Sequence, residues 1–580
     1  MRSYIIIRLT ATVVLLAAHL GCKALPPDAD QPNQLESTPK TLLFVTVPFD
    51  YLSDHAQDIA EMGVGGVMVA GIMYSAYSDV WALDDRSRIV GSDNPKLKRL
   101  QEMNRVCREH SIEDNFVKVA LYENFPDWFD DGAWEPIIEN FRQVAVFARM
   151  SSFKGIAFDA EYINATYLLD WPGYQGPNYP KKKLPAAVRL RGRQIVTAML
   201  DEYPSMTLLH FPESHWRYGP LAGELLAGQL EAMAEREAPG GFHILPEGTY
   251  RQADPQTLLQ IVQQTDIMFE DLIDDGVSEY WRQYGSISPG LWPLGYYESV
   301  TNTAGDHVRY RGRTRVFDND EGSYGDKSSQ FSSEVFRNLF GTSLLVASRY
   351  VWIYCHGSVF WQMTATERER YGGSKNDLLP LDDNIDEFVS VMTERSVPTD
   401  TTIVNRARLI RQGHRADFQD VTGAPDLWRI VGPFDDSSEG LNTSHWPERT
   451  SQTDSFDSTW SLIAVRPVRT VYISSLLGTR ENISAYLRVN VTSPQARDAV
   501  VRVGSDDGVI IWADGVQVWK NVTRGAIAEE HDSFDISLKE GTTPILVKSH
   551  NIDGRWTFTF RITDRGGLPV EGLKYSLPRT

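Results

Sequence analysis

"FKGIAFDAEYINATYLLDWPGY", residues 153–174, bears on both the choice of fold and the choice of chemistry. An apolar run of strand character ends in Asp159-Ala160-Glu161 and opens into an aromatic, turn-rich segment. Side chains two apart on a strand project from one face, so Asp159 and Glu161 point the same way. Whether they face a site depends on the strand's neighbours. Seven further runs read as strands: 41–49, 64–72, 116–122, 206–211, 241–245, 290–297 and 349–355, with 155–162 fourth of the eight. Helical periodicity fills the gaps at 54–62, 95–110, 134–149, 186–203, 222–236, 255–265, 329–347 and 382–393, several with Asp, Ser or Pro near the start. Strands alternating with helices pair in parallel, and eight such units over 41–395 predict a (β/α)₈ TIM barrel. A doubly wound open sheet is the alternative α/β fold, but the first turn, "VPFDYLSD", lacks the glycine fingerprint of dinucleotide binding.

After residue 395 the pattern changes. Residues 396–425 read as a connector, and 426–580 as short alternating strands parted by Asp507-Gly508, Asp514-Gly515 and Glu540-Gly541, which predicts an all-β antiparallel sandwich. At the other end, Arg2 and Arg8 precede an apolar run from Leu9 to Leu20, the layout of a secretory signal over 1–24. Gly21-Cys22 is similar to a bacterial lipoprotein cleavage site, which would make Cys22 a lipid anchor; a freely secreted form is the alternative. Residues 25–40 read as a flexible tether. The expectation is an exported bacterial protein, periplasmic, held at the cell surface or extracellular.

The 580 residues carry a formal charge of −20, which argues against general affinity for nucleic acid. Cys107 and Cys355 are the remaining cysteines, and neither has a neighbour at metal-ligand spacing. His210, His243 and His356 fall at strand ends without a zinc pattern, so no catalytic cofactor is expected. In the sandwich, Asp506, Asp507 and Asp514 suit either structural calcium or the capping of tight turns.

A barrel works at the C-terminal ends of its strands. Those positions hold Asp50, Glu123, Asp159, Glu161, Glu213, Glu247 and Glu298, accompanied by Trp128, Tyr162, Trp171, Trp216, Trp292 and Tyr296. Flat rings beside acids suit sugars, whose C–H faces stack while their hydroxyls bond carboxylates. Cleaving a glycosidic bond needs one carboxyl to protonate the leaving oxygen and another to attack or to activate water. Asp159, Glu161 and Glu247 are the catalytic candidates. Glu213 and Glu298 are candidate substrate ligands, with Tyr162, Trp171, Trp216, Trp292 and Tyr296 as ring contacts. Arg309, Arg311 and Arg313 alternate in "HVRYRGRTRVF" and would suit sulfate or carboxylate groups of an anionic polysaccharide; an exposed hairpin paired with nearby acids is the plainer reading.

"AFDAEY" resembles the end of the strand-four motif of chitinase-like family 18 glycoside hydrolases, although Lys154 and Ala157 stand where that motif has earlier aspartates. The resemblance implies Glu161 as general acid with Asp159 as its partner. Ser505-Asp506-Asp507-Gly508, Trp512, Asp514-Gly515 and "ILVKSHNIDGRWTFTFRITD" resemble protective-antigen-type and related jelly-roll modules attached to carbohydrate-active enzymes, implying a carbohydrate-binding module. The sequence therefore predicts a glycosidase acting on a polysaccharide through paired carboxylates, with a non-catalytic glycan-binding protein on a degenerate barrel as the competing class. Oligomeric state is open.

Overall fold

The computed structural model describes residues 38–45, 47–70, 95–120, 126–160, 183–211, 220–249, 252, 254–293, 296–301, 308–313, 332–354, 364–372, 385–418, 422–449, 460–465, 470–478, 480–522, 531–554 and 556–578. The expected signal, the expected tether up to residue 37, Cys22, Glu161, Tyr162, Trp171, Glu213, Trp216, Cys355 and His356 lie outside them, and the last tether residue, Lys40, opens the first strand.

The first half is mixed α/β. Its strands are β1 (Lys40–Val45), β2 (Gly66–Val69), β3 (Phe116–Ala120), β4 (Gly155–Asp159), β5 (Thr207–Phe211), β6 (Phe242–Ile244), β7 (Gly285–Ile287), β8 (Gly290–Leu291), β9 (Tyr296–Thr301), β10 (Val308–Arg313) and β11 (Tyr350–Tyr354). Nine of them form one curled parallel sheet in the order β7-β6-β5-β4-β3-β2-β1-β11-β8. The connecting helices are α1 (Phe49–Asp54), α2 (Ala56–Glu61), α3 (Pro95–Glu109), α4 (Asp131–Met150), α5 (Leu184–Glu202), α6 (Pro220–Glu235), α7 (Pro255–Glu270), α8 (Asp275–Tyr284), α9 (Ser333–Val346), α10 (Ala365–Tyr371), α11 (Ile385–Glu394) and α12 (Thr401–Arg411). Their starts are those the composition favours: the side chains of Asp130, Asp254, Ser332 and Asp400 each accept a hydrogen bond from a first-turn N–H. Among the described residues no helix is long and apolar enough to cross a membrane.

Alternation divides the strand side chains between two cores. Leu43, Val45, Val67, Val117, Ile156, Phe158 and Leu208 pack with the helices. Leu42, Phe44, Met68, Phe116, Ala157, Leu209, Leu245, Trp292, Tyr350 and Trp352 form a second cluster on the concave face. Gly290 belongs to that face because the Trp352 ring lies over it: a Cβ there would come 2.4 Å from the ring.

The expected seventh strand, 290–297, is placed differently. Its sheet portion begins at Gly285 and is interrupted at Ser288-Pro289, because Pro289 has no N–H to give the ladder. Ser288 N–H still donates to Ile244 O at 2.8 Å, and Trp352 N–H to Pro289 O at 3.0 Å. Residues 296–301 leave the sheet and pair with β10 as an antiparallel ribbon. The first strand likewise ends at Val45, and Asp50 lies in α1 with its carboxylate on Arg99.

From Leu427 onward the chain forms two antiparallel sheets. One contains β12 (Leu427–Asp435), β13 (Ser461–Ala464), β15 (Ile483–Ser493), β17 (Gly508–Ala513), β18 (Val516–Val522), β20 (Gly541–Asn551) and β22 (Lys574–Ser576). The other contains β14 (Thr470–Tyr472), β16 (Arg497–Ser505), β19 (Asp532–Leu538) and β21 (Thr557–Thr563). Val489, Ile511 and Val547 of the first share an apolar core with Val503, Ile536 and Phe558 of the second. Asp514 and Gly515, with φ of 51° and 78°, make the two-residue turn between β17 and β18. Asp507 accepts from the N–H groups of Ile552 and Asp553 at 2.6 and 3.2 Å, and Lys539 pairs with Asp514 at 2.7 Å.

Candidate active site

The C-terminal ends of the parallel strands bring one acid, one base and a group of rings to the concave face. β4 ends at Asp159, which shares that face with Ala157 and is 2% exposed. On β3 the same face holds Phe116, Lys118 and Ala120, and Ala120 lies opposite Asp159 in the ladder. Lys118, 9% exposed and opposite Ala157, therefore sits two residue pairs below Asp159, and its Nζ reaches Asp159 Oδ2 at 2.6 Å. Two buried opposite charges in contact form the polar part of this floor.

The rings come from the far strands. Tyr354 of β11 lies 5.2 Å from Phe44 of β1, and Trp292, just after β8, meets Tyr354 edge-on at 5.1 Å. Trp352 stands edge-on to Tyr354 at 6.4 Å. The floor thus has an aromatic side on β1, β8 and β11 and a charged side on β3 and β4.

Glu247 opens a short 3₁₀ turn, Glu247–Thr249, directly after β6 and is 7% exposed. Thr249 fastens this turn to β8: its Oγ1 donates to Gly290 O at 2.9 Å and accepts from Gly290 N–H at 2.8 Å. The acid is thereby held at the C-terminal end of the sheet.

Of the predicted site residues, Asp159, Glu247 and Trp292 fall on or beside these strand ends. Trp292 is 4% exposed, packed in the ring cluster. Tyr296 and Glu298 lie on β9, where the ladder sets Tyr296 opposite Arg313, Glu298 opposite Arg311 and Val300 opposite Arg309. Trp128 is not at the rim; it stacks on Trp134 at 5.1 Å in the helix-side core.

The histidines do not converge. His210 faces the helices, between the rings of Phe158 and Phe242, with Nδ1 2.9 Å from Gln229 Oε1. His243 faces the concave side, with Nδ1 2.7 Å from Ser286 Oγ. Burial pushes each imidazole down to about 3, so both are neutral. Burial pushes the Cys107 thiol up to about 11, which leaves it unreactive in α3. Among the described residues no group of three His, Cys, Asp or Glu is arranged to hold a metal ion.

Lys118 is the residue that sequence reasoning missed. Its signal was present in "FVKVALY", a single charge inside an apolar run with the parity of the concave face.

No protein-family model matches the chain, and no curated protein matches it. Solved structures similar to it include a glucosidase from Croceicoccus marinus, at 10% identity over 89% of this chain and 96% of that one, with a TM-score of 0.33. A chitinase from Bacteroides thetaiotaomicron aligns at 15% identity over 66% of this chain and all of its own, with a TM-score of 0.30. The PA14 domain of an antifreeze protein aligns at 19% identity over 17% of this chain, with a TM-score of 0.15, and the alignment spans 53% of that structure's length.

Proposed function

We propose that the chain is an exported glycoside hydrolase whose parallel sheet closes as a (β/α)₈ barrel. Closure through residues 288–289 is supported by the two hydrogen bonds that reach β6 from Ser288 and β11 from Pro289. The single observation that carries the activity is Asp159: a buried acid at the C-terminal end of β4, on the concave face and ion-paired, with a ring cluster on the strands beyond. In this reading Asp159 is one of the two carboxylates of the reaction, and Glu161 or Glu247 is the other. The antiparallel half serves as a carbohydrate-binding module. A polysaccharide is the substrate, and the alternation of Arg309, Arg311 and Arg313 on β10 supports an anionic one.

The test is a panel of neutral, uronic and sulfated polysaccharides with 4-nitrophenyl glycosides, followed by release of reducing ends or nitrophenol. Hydrolysis of at least one member is expected, with Asp159→Asn slower by about a thousandfold. Full activity in folded Asp159→Asn, or binding without cleavage across the panel, would sink the reading.

A further inference from the structure

We infer that Lys118 is a positioning residue that commits Asp159 to the anionic role in catalysis, so that the proton donor must be a different carboxyl. The inference rests on the glycosidase reading and deepens it. A lysine inside a strand otherwise composed of apolar residues gives up most of its hydration, a loss that a close partner of opposite charge offsets. The partner is Asp159 Oδ2 at 2.6 Å, and the contact follows from the register that sets Ala120 opposite Asp159. A carboxylate held by an ammonium is engaged as an anion and has no proton to deliver.

Glycosidic cleavage divides its labour between two such groups. One carboxyl transfers a proton to the oxygen that leaves; the other acts as an anion, on the anomeric carbon or on a water. Lys118 gives Asp159 the second task. The first falls to Glu161, two residues along the same run, or to Glu247, which is anchored after β6 by Thr249. The order of roles is the one that "AFDAEY" implied by resemblance, reached here through a basic residue on the neighbouring strand.

Lys118 is tested with Lys118→Arg, which keeps the cation, and Lys118→Gln, which does not. Lys40→Gln is the control: Lys40 pairs with Asp114 at 3.0 Å beneath the opposite end of the sheet. On the glycoside that the parent hydrolyses, Lys118→Gln is expected to lower kcat tenfold to a hundredfold with KM within about twofold. Lys118→Arg should restore most of kcat, and Lys40→Gln should change neither constant. Combined with Asp159→Asn, Lys118→Gln should add no further loss, because both act through one carboxylate. Equal losses in the Arg and Gln variants, or additive losses with Asp159→Asn, would overturn the assignment.

A second arm needs no turnover. With aspartate ¹³C-labelled at the carboxyl, the Asp159 resonance, identified by its disappearance in Asp159→Asn, is read at pH 6. The carboxylate position is expected in the parent and in Lys118→Arg. A carboxylic-acid position in the parent refutes the role of Lys118 whatever the panel shows; a carboxylate position with no hydrolysis anywhere in the panel means instead that the glycosidase reading has failed.

Discussion

Asp159 and Lys118 are nearly as buried as the aliphatic residues around them, and that makes their contact costly to break from one side only. Removing one member of a buried ion pair leaves an uncompensated charge and costs about 3–5 kcal/mol, whereas replacing both by apolar groups is often close to neutral. Lys118→Leu is therefore expected to lower the unfolding free energy in urea by about 3–5 kcal/mol, and Lys118→Leu/Asp159→Leu to regain most of it. A double variant as unstable as the single would show that the pair is not the source of the loss. The orientation of Asp159 was legible in the sequence, since period-two alternation places it with Ala157 on one face. Its partner was not. Alternation assigns Lys118 to the same face, but which acid it meets depends on the stagger between β3 and β4, and main-chain hydrogen bonds set that stagger without leaving a mark on the side chains.

Where α5 crosses α6 the two backbones touch. A Cβ on Gly228 would lie 1.9 Å from Arg189 O, and one on Gly192 2.2 Å from Leu225 O. Arg189 reinforces the crossing by bonding Glu224 at 2.6 Å and Glu231 at 3.1 Å. In an exposed helix interior, Gly→Ala stabilises by roughly 0.4–1 kcal/mol, because alanine restricts the unfolded chain. Here the sign should reverse. Gly228→Ala is expected to lower stability by about 1–3 kcal/mol, as overpacking does, by forcing the helices apart. A raised melting temperature for that variant would contradict the close crossing. The helices themselves were readable from periodicity and caps, and most of the expected spans agree with the observed ones to within a few residues. What periodicity did not reach were breaks decided by single residues. Pro289 divides the seventh strand, and α12 lies inside a stretch that read as a connector although Ile403, Val404, Ala407 and Ile410 recur at helical spacing and pack on the core. Asp400 caps that helix through the N–H groups of Thr402 and Ile403, the same device as at Asp254.

Between the parallel and antiparallel halves the chain partly buries an acid: Asp426, just before β12, receives a hydrogen bond from Gln260 Nε2 of α7. Gln264 of the same helix donates to Asp426 O and Val465 O at 3.1 and 2.9 Å, while Ile267 and Met268 pack on Leu427, Leu462 and Ala464. Burial pushes the Asp426 carboxyl up to about 7; Asp417 adds to the rise, and Gln260 and Arg406 oppose it. Asp266, also on α7, is pushed up to about 6 by burial against a hydrogen bond from Trp281. For an acid whose folded pKa is raised, the folded state holds a proton that the unfolded chain has lost, so stability declines as pH climbs from about 3.8 to the folded value. His210 and His243 act in the opposite sense, because the unfolded chain takes up protons below about 6.5 that the buried imidazoles refuse until about 3. Each proton contributes about 1.4 kcal/mol per pH unit, so between about pH 4 and 6 the two acids and the two histidines nearly cancel. Above about pH 6.5, where the histidines no longer contribute, Asp426 is left as the main slope up to about 7. Asp426→Asn keeps the shape and a hydrogen-bond acceptor for Gln260 without the charge. Its melting temperature should match the parent's near pH 3 and exceed it at pH 8, where the difference amounts to a few kcal/mol. Equal melting temperatures at pH 8 as well would mean that the junction does not hold a protonated Asp426.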